Sequence, residues 1–574
     1  MKTRRETLEF LLEDKVKLAT VSGIFTTKVS IIELVDRDFF DIDLITTKSY
    51  QVLPNHGNRE PIIAEQSVGN FGNAVGLRNP GMEQGHLELS ELRKRRNLRC
   101  PLIVSLSANS IDDFITLVKR FEDVADMLEL NFSCPHASPG YGSSIGAYPK
   151  VVREYMEKIR GVTRAILIPK LTPNVEDIGK IAAVAVEAGA DGISAINTVG
   201  PVEYIEPHTQ KTILYNPKAH KGGKSGEWIR DIAQEKVREI RDAIGDGIPI
   251  IGMGGITTGK DVKRMRDAGA NVFGLGSVFA RVSMDKRRDF VAFLKKDIEF
   301  GTNLADLYVS RERLAEYKPH RINKITEKDE NLRIFELDGT MDYDASQFAF
   351  LWVPDVGEKP FSIARGNPLT FVVRKQEYVP GEKGLVTHAL FGLKEGEEMM
   401  VRGAYGADIR DNLSDNAYII AGGTGIAVVP KLVQRLSKQE KSVTVYHGVT
   451  SPQQGMFEEE IERYGKYRLV VDPSPEQKGE VIRVMQRDLE RRDLSNSCFY
   501  NIGPVHFMDL AIKTQQGIGI DPAHIYASIE TNNMCGIGMC GECECGGRLT
   551  CQQGTFFSKR YLDEHKINIL EFGE

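Results

Sequence analysis

Four cysteines near the C-terminus, Cys535, Cys540, Cys543 and Cys551, stand in the run CGIGMCGECECGGRLTC. Three of them keep a C-x4-C-x2-C spacing and the fourth lies downstream, the arrangement that holds a plant-type [2Fe–2S] cluster. The glycines between them let backbone amides turn toward the cluster sulfurs where a side chain would clash. Such a cluster passes one electron at a time, so the chemistry indicated is electron transfer. A structural zinc site would instead want paired C-x2-C knuckles well separated along the chain. Cys545, a fifth thiol in this loop, reads as a neighbour that does not bind.

A second reactive locus is Asn131–His136 (NFSCPH), which follows an apolar run and precedes a loop rich in glycine and serine over 138–147. A thiol with an ordinary pKa near ~8.5, such as Cys134, accepts a proton from an activated carbon where its surroundings help. The loop behind it reads as a lid that excludes water. The plainer reading of a lone cysteine at a strand end is an inert packed thiol.

Elements must position these groups. At 574 residues the chain exceeds one core, and ~100–200 residues per domain implies three or four. Hydrophobic content of 41% and charged content of 27% are those of an ordinary soluble protein. A net charge of −6 gives no basic footprint, which argues against nucleic acid and anionic membranes as partners. No run approaches the ~18 apolar residues that span a bilayer, and MKTRRE leads into no signal-peptide core. Eight cysteines, five of them in one loop, do not form a disulfide framework and point to a reducing compartment, the cytoplasm.

From Leu18 to Phe279, short apolar runs alternate with amphipathic helical stretches. The runs are Leu18–Gly23, Asp41–Thr47, Pro101–Ser107, Met127–Ser133, Ile166–Thr172, Gly192–Thr198, Pro249–Gly255 and Val272–Phe279. Continuous rather than alternating hydrophobicity suits parallel strands buried on both faces. Helices are expected at 111–126, capped by Ser110, and at 175–188. Eight strand–helix units in ~280 residues predict a TIM barrel, with a doubly wound open sheet as the alternative. Ser22, Lys48, Asn131, Cys134, Lys170, Asn197, Thr198 and Gly254 gather where these runs end, at the rim where barrel chemistry sits. Charged helical sequence from Lys286 to roughly Lys328 leads out of the barrel. Short strands over 332–402 then predict a small antiparallel barrel. Ala417–Ile426 (AYIIAGGTGI) reads as a strand entering a glycine-rich turn, followed by a helix at Pro430–Leu436. Val443–His447, Arg468–Val471 and Phe499–Ile502 continue a nucleotide-binding sheet. The expected domains are 1–300, a linker over 301–330, then 331–410, 411–525 and 526–574.

In the first half, NAVGLRNPG (Asn73–Gly81), NFSCPH, PKLTPN around Lys170, AINT, GGKSG (Gly222–Gly226), GMGGI (Gly252–Ile256) and GLGS (Gly274–Ser277) occur in the order found in dihydroorotate dehydrogenases. The chain resembles the soluble, cysteine-base branch of that family. The resemblance implies FMN across the barrel top, its phosphate on the amides of Gly226, Gly254, Gly255, Gly276 and Ser277. Ser22 and Gly23 would pass close to the flavin ring, and Lys170 would sit at its N1/O2 edge. Lys48, Asn73, Asn131, Asn197 and Thr198 would frame the substrate, with Gly76 and Leu77 offering amides to a carboxylate. Cys134 would take the C5 proton while the C6 hydride moves to the flavin. His136 departs from the pattern: the family usually has Asn there, and dihydropyrimidine dehydrogenases have SCPH.

In the second half, KPFSIA (Lys359–Ala364), GLVT (Gly384–Thr387), RGAYG (Arg402–Gly406), AGGTGI and the cysteine loop resemble the electron-transfer subunit that partners NAD-linked dihydroorotate dehydrogenases, of the ferredoxin-reductase superfamily. The resemblance implies FAD cradled by Lys359, Pro360, Phe361 and Ser362, with Lys359 replacing the usual Arg and losing its bidentate fork. Gly384, Val386 and Thr387 would line the FAD pyrophosphate, and Gly422, Gly423 and Gly425 would admit NAD at a helix start. NIGP (Asn501–Pro504) stands where the family has C-G-P, and the gap from Cys543 to Cys551 is short. No arginine cluster for a 2′-phosphate can be placed. The fold class expected is α/β: a TIM barrel, a ferredoxin-reductase-like module and a small [2Fe–2S] domain, paired as a homodimer by the habit of relatives. The function implied is oxidation of dihydroorotate at FMN, with electrons passing through the cluster and FAD to NAD+. Two alternatives are an oxidoreductase acting on another dihydropyrimidine and an electron-transfer reductase whose barrel is not catalytic.

Overall fold

The computed structural model describes residues 3–132, 145–216, 220–379, 384–410, 412–474 and 478–573. The chain forms two compact units: Met1–Glu316 with Ile537–Glu542, and Tyr317–Gly536 with Cys543–Glu574.

In the first unit the apolar runs become eight parallel strands: Leu18–Thr20, Ile45–Tyr50, Leu102–Leu106, Met127–Asn131, Leu167–Lys170, Ile193–Ala195, Ile250–Met253 and Val272–Leu275. The first pairs with the eighth, Leu18 opposite Phe273 and Thr20 opposite Leu275. A parallel bridge from Ala19 to Leu44 sets the first strand against the lead-in to the second and closes the ring. An open sheet would leave two edges, so the TIM-like barrel is the observed form. Helix Ile111–Phe121 begins where the Ser110 hydroxyl accepts the Asp113 amide at 3.1 Å, and Ile178–Glu187 where Asp177 accepts the Lys180 amide at 2.8 Å. Both are shorter than the sequence suggested. The helix Ile111–Phe121 buries Phe114, Leu117, Val118 and Phe121, one stripe at helical spacing.

Side chains that alternate along each strand decide what fills the barrel. Ile103, Met127, Ile168, Ile251 and Val272 pack with Leu11 from the N-terminal helix in one apolar cluster. Two residues further along the same strands the character changes: Ser105 follows Ile103, Glu129 and Asn131 follow Met127, and Lys170 follows Ile168. The barrel is therefore apolar at one end and polar at the end where the strands finish. An antiparallel sheet of Ile63–Ser67, Asn70–Asn73, Lys221–Gly226 and Val199–Glu203 is built from loop sequence. Its glycine-rich, polar strands carry no apolar run to betray them.

The second unit opens with a closed six-stranded antiparallel barrel: Lys318–Asp329, Leu332–Leu337, Phe348–Val353, Gly357–Gly366, Leu369–Arg374 and Glu398–Tyr405. The expected linker is thus corrected over its second half. The helix stops at Phe300, before Gly301 in left-handed conformation, and Lys318–Asp329 is a strand with Ile322 opposite Leu337 and Thr326 opposite Ile334. Its charged side chains face water and only Ile322 is fully buried, so composition mimicked a solvated helix. A sheet follows in the order Lys466–Val471, Ser442–Val449, Asn416–Gly422, Ser497–Ile502, Ile525–Ser528 and Phe556–Ser558, all parallel but the last. The last two, four and three residues long, were too short for the sequence to announce. Leu332, Ile334 and Val372 of the small barrel share a core with Ile419 and Val445 of the sheet and Leu432 of helix Val429–Lys438.

Among the ion pairs described in this unit, Arg402–Glu358 is fully buried. Arg402 meets Glu358 through Nε at 2.9 Å and Nη2 at 2.6 Å, and Tyr317 donates to the same carboxylate at 2.6 Å. Arg402 is 1% and Glu358 0% exposed, and the guanidinium lies 3.9 Å over the Phe350 ring. Its Nη1 donates to the Cys535 carbonyl at 2.9 Å, fixing the start of the cysteine run. Removing one partner of a buried pair strands the other charge at a cost of about 3–5 kcal/mol. Glu358→Ala therefore lowers the thermal midpoint sharply, whereas the double replacement Glu358→Leu with Arg402→Met recovers most of the loss; differential scanning fluorimetry reads both.

Candidate active site and cofactor sites

Ten residues expected at the barrel site line one cavity: Ser22, Gly23, Lys48, Asn73, Gly76, Leu77, Asn131, Lys170, Asn197 and Thr198. Beneath it runs a polar chain. Ser22 lies 3.2 Å from Ser49, Ser49 2.8 Å from Ser105, and Ser105 donates to Glu129 at 2.9 Å. Ser194 donates to the other Glu129 oxygen at 2.9 Å, and Lys170 Nζ stands 3.8 Å from this carboxylate. Asn131 donates to Ser49 at 3.2 Å. A buried carboxylate is tolerable only when hydrogen-bonded and paired, so Glu129 and its serines hold Lys170 upright at the cavity floor. Glu129 went unremarked in the sequence because it sits inside an apolar run, MLELN.

Gly76 and Leu77 both have left-handed backbone, at φ 77° and 59°. Asn55 donates to the Gly76 carbonyl at 3.1 Å and Asn79 to the Leu77 carbonyl at 2.8 Å. With these carbonyls tied back, the turn is held by side chains rather than by a sheet. Left-handed Leu77 is uncommon for a branched side chain and is a feature of binding loops.

The expected phosphate glycines sit at strand ends around the rim. Gly226, at φ 108°, closes its strand against Gly69, whose carbonyl would lie 2.1 Å from any added Cβ. At Gly255, φ 69°, a Cβ would stand 2.8 Å from that of Arg230, whose Nε donates to the Gly255 carbonyl at 3.0 Å. Gly254 precedes it at φ 131°, and Gly276 and Ser277 lead from the eighth strand into the turn Ser277–Arg281. At Gly226, Gly254 and Gly255 the neighbouring protein, in turn the Gly69 carbonyl, Ala233 and Arg230, occupies the space a side chain would need, so glycine is required by packing.

The short segment Ile537–Glu542 belongs to this unit and supplies Met539, Cys540 and Glu542 to the cavity wall. Phe25 donates its amide to the Met539 carbonyl at 3.0 Å, Thr27 Oγ1 to that of Cys540 at 2.8 Å, and Arg287 to that of Gly538 at 2.8 Å. Glu542 accepts from Lys48 at 2.8 Å and faces Lys28 and Arg78 at 3.3 Å each. Burial would raise the Glu542 carboxyl, but Lys48, Lys28 and Arg78 outweigh it and hold it below the usual range. Burial also lowers the Lys48 ammonium, an effect that Glu542 opposes. Nothing in the sequence alone linked Glu542 to the barrel. Cys134 and His136 lie outside the described residues.

In the second unit Lys359, Pro360, Phe361 and Ser362 lie on strand Gly357–Gly366, opposite Phe348–Leu351. Gly384, at φ 86°, starts helix Leu385–Gly392. Thr387 Oγ1 donates to the Gly384 carbonyl at 3.0 Å and accepts the Gln376 amide at 3.1 Å, while Val386 is buried. Gly422, Gly423 and Gly425 form the turn between strand Asn416–Gly422 and helix Val429–Lys438. His447 braces that turn. Its Nε2 lies 3.1 Å from the Gly423 carbonyl, which only accepts, so this nitrogen carries the proton and Nδ1 accepts the Tyr467 hydroxyl at 2.8 Å. Ile502, which precedes Gly503 and Pro504 where the resemblance leads one to expect cysteine, is buried in the core. Its neighbour Asn501 exchanges two hydrogen bonds with Gln515 at 2.9 and 2.8 Å and donates to the Tyr526 carbonyl.

Cys535, Cys543 and Cys551 are gathered: Cys543 and Cys551 stand 3.2 Å apart, and hydrogen bonding to Cys535 and then Cys543 raises the Cys551 thiol. All are buried. Among the described residues no three His, Cys, Asp or Glu side chains are arranged to hold a single metal ion. A two-iron cluster spreads four thiolates over two irons, and buried thiols this close repel one another once ionised unless a cation is shared, so the set fits such a cluster. Burial pushes the Cys545 thiol up to about 12; packed in the apolar cluster with Phe557 and Leu562, it suits a bystander.

A closed parallel barrel with a cation-bearing mouth, joined in one chain to a small barrel and a glycine-turned parallel sheet, defines a barrel enzyme carrying a nucleotide-binding module. The chain belongs to the dihydroorotate dehydrogenase family and is an oxidoreductase. Residues 12–289 match that family, and residues 419–513 match the oxidoreductase NAD-binding domain. A protein named dihydroorotate dehydrogenase B (NAD(+)), catalytic subunit, from Pyrococcus abyssi is 40% identical over 233 residues, 41% of this chain and 74% of that protein. Proteins of the same name from Methanocaldococcus jannaschii and Alkaliphilus metalliredigens are 36% and 38% identical over 262 and 267 residues, covering 44% and 46% of this chain and 82% and 84% of theirs. No helix among the described residues is long and apolar enough to cross a membrane.

Burial lowers His447 from 6.5 to about 4. Between those values the unfolded chain binds a proton that the folded one refuses, so stability falls as pH drops through 6.5 toward 4. At pH 5 the loss relative to pH 7 is about 2 kcal/mol. Amide exchange of strand Ser442–Val449 should show this loss of protection, and His447→Gln should lack it.

Proposed function

We propose that the barrel oxidises dihydroorotate to orotate at FMN, and that electrons pass through a [2Fe–2S] cluster and FAD to NAD+. The observation that carries this reading is the convergence of ten strand-end and loop residues on one cavity, in the unit that matches the dihydroorotate dehydrogenase family. Bound FMN would supply the hydride acceptor, the cluster a one-electron relay and FAD the return of an electron pair to nicotinamide.

The chain's own groups do the rest. Cys134 as thiolate removes the C5 proton. Lys170, held by Glu129, sets a positive charge at the ring edge it faces and stabilises negative charge developing there. Asn73, Asn131, Asn197 and Thr198 orient the pyrimidine ring through hydrogen bonds, and Gly76, Leu77 and Lys48 receive its carboxylate. Gly226, Gly254, Gly255, Gly276 and Ser277 hold the FMN phosphate. Lys359, Pro360, Phe361, Ser362, Gly384, Val386 and Thr387 hold FAD, and Gly422, Gly423 and Gly425 admit NAD. Cys535, Cys540 and Cys543 of the C-x4-C-x2-C run, with Cys551, hold the cluster.

Full-length protein isolated anaerobically should reduce NAD+ with dihydroorotate. Cys134→Ala should lower the rate of flavin bleaching by ~10²–10⁴-fold, the usual worth of a general base. Glu129→Gln should cut kcat with little change in KM, because it acts through Lys170. Rapid turnover of dihydrouracil beside inert dihydroorotate would replace this reading with that of another dihydropyrimidine oxidoreductase.

A further inference from the structure

Among the described residues lining the barrel-mouth cavity Glu542 is the one acidic side chain, and it is 7% exposed. It sits on Lys48 at 2.8 Å with Arg78 and Lys28 at 3.3 Å, and Lys48 and Arg78 line the same cavity. Three cations around one carboxylate leave a surplus of positive charge, the makings of an anion subsite. Beside it stand Gly76 and Leu77, the turn whose carbonyls are tied away by Asn55 and Asn79.

We propose that Glu542 is a tethered competitor for this subsite: its carboxylate holds Lys48 and Arg78 when the site is empty, and the carboxylate of an anionic substrate displaces it. The proposal rests on the functional reading above and adds to it a residue that sets the affinity for anions. Two carboxylates cannot share one ammonium and one guanidinium without meeting each other, and like charges in a half-dry cavity repel strongly. The local backbone suits a part that moves. The three anchors of the segment end at the Cys540 carbonyl, before Glu542. Gly541 then turns at φ 73° tightly against Thr27, where a Cβ would lie 2.0 Å from Oγ1. Glu542 can leave without breaking any of the three anchors.

The test is a spectral titration of the full-length holoenzyme with orotate and with uracil, the same ring without the carboxylate. Glu542→Gln should bind orotate at least about tenfold tighter and uracil within about twofold of wild type. Glu542→Asp, which keeps the charge on a shorter arm, should move orotate in the same direction by less. Deuterium uptake across 537–542 in wild type should rise with orotate and not with uracil. Orotate binding that is unchanged or weaker in Glu542→Gln, or uptake that stays level or falls with orotate, overturns the proposal. Wild type that turns over dihydroorotate while failing these arms overturns this inference alone; wild type that neither oxidises dihydroorotate nor binds orotate overturns the functional reading as well.

Discussion

A closed ring of parallel strands has to fill its own interior, and here part of the filling is a carboxylate. Glu129 accepts from Ser105 and Ser194 and lies under Lys170, so each partner is needed to keep the others from being stranded in a low-dielectric core. Everything above that layer depends on it. The apolar cluster around Ile103, Met127 and Ile168 packs one end of the barrel, and the polar layer stops that packing where the strands finish. Next to Glu129, Ser22, Ser49, Ser105 and Asn131 are hydrogen-bonded to one another, and Ser22, Ser49 and Asn131 line the cavity. Lys170 keeps its place there by charge rather than by packing.

The second unit solves a related problem with a different pair. Arg402 and Glu358 are as buried as any core residue, and the guanidinium's Nη1 donates both to the Tyr405 hydroxyl and to the carbonyl of Cys535. A cysteine run rich in glycine has little side-chain mass to pack, so it needs backbone anchors. Arg402 provides one, and the bond from the Gly406 amide to the Cys551 carbonyl provides another. The crowding of Cys535, Cys543 and Cys551 is the local consequence. Hydrogen bonding to Cys535 and then Cys543 raises the Cys551 thiol.

How far the sequence could be read follows from the same physics. All eight barrel strands were legible because strands buried on both faces are continuously apolar. The rim sheet was not, since Asn70–Asn73 and Lys221–Gly226 owe their pairing to tertiary context rather than to any pattern of their own. Lys318–Asp329 hid behind its charges, because only one of its residues is fully buried. Among site residues, those at strand ends stood out by type and position. Glu129 did not, being one polar letter inside an apolar run. Asn55 and Glu542 were invisible for a different reason: each matters through a partner distant in the chain, a relation that spacing cannot encode. Ile502 is the reverse case. It departs from the cysteine of a motif, and in the structure it is a buried apolar residue of the core.

The function proposed for this chain joins pyrimidine oxidation to nicotinamide reduction through separate redox centres. Anaerobic rapid mixing with dihydroorotate, followed by diode-array absorbance and freeze-quenched paramagnetic resonance, tests this most directly. The account predicts flavin bleaching first, then a reduced [2Fe–2S] signal, then loss of the second flavin's absorbance, with both flavins reoxidised on adding NAD+. Reduction that stops at one flavin with no paramagnetic signal from iron, in protein containing its full complement of metal, would contradict it.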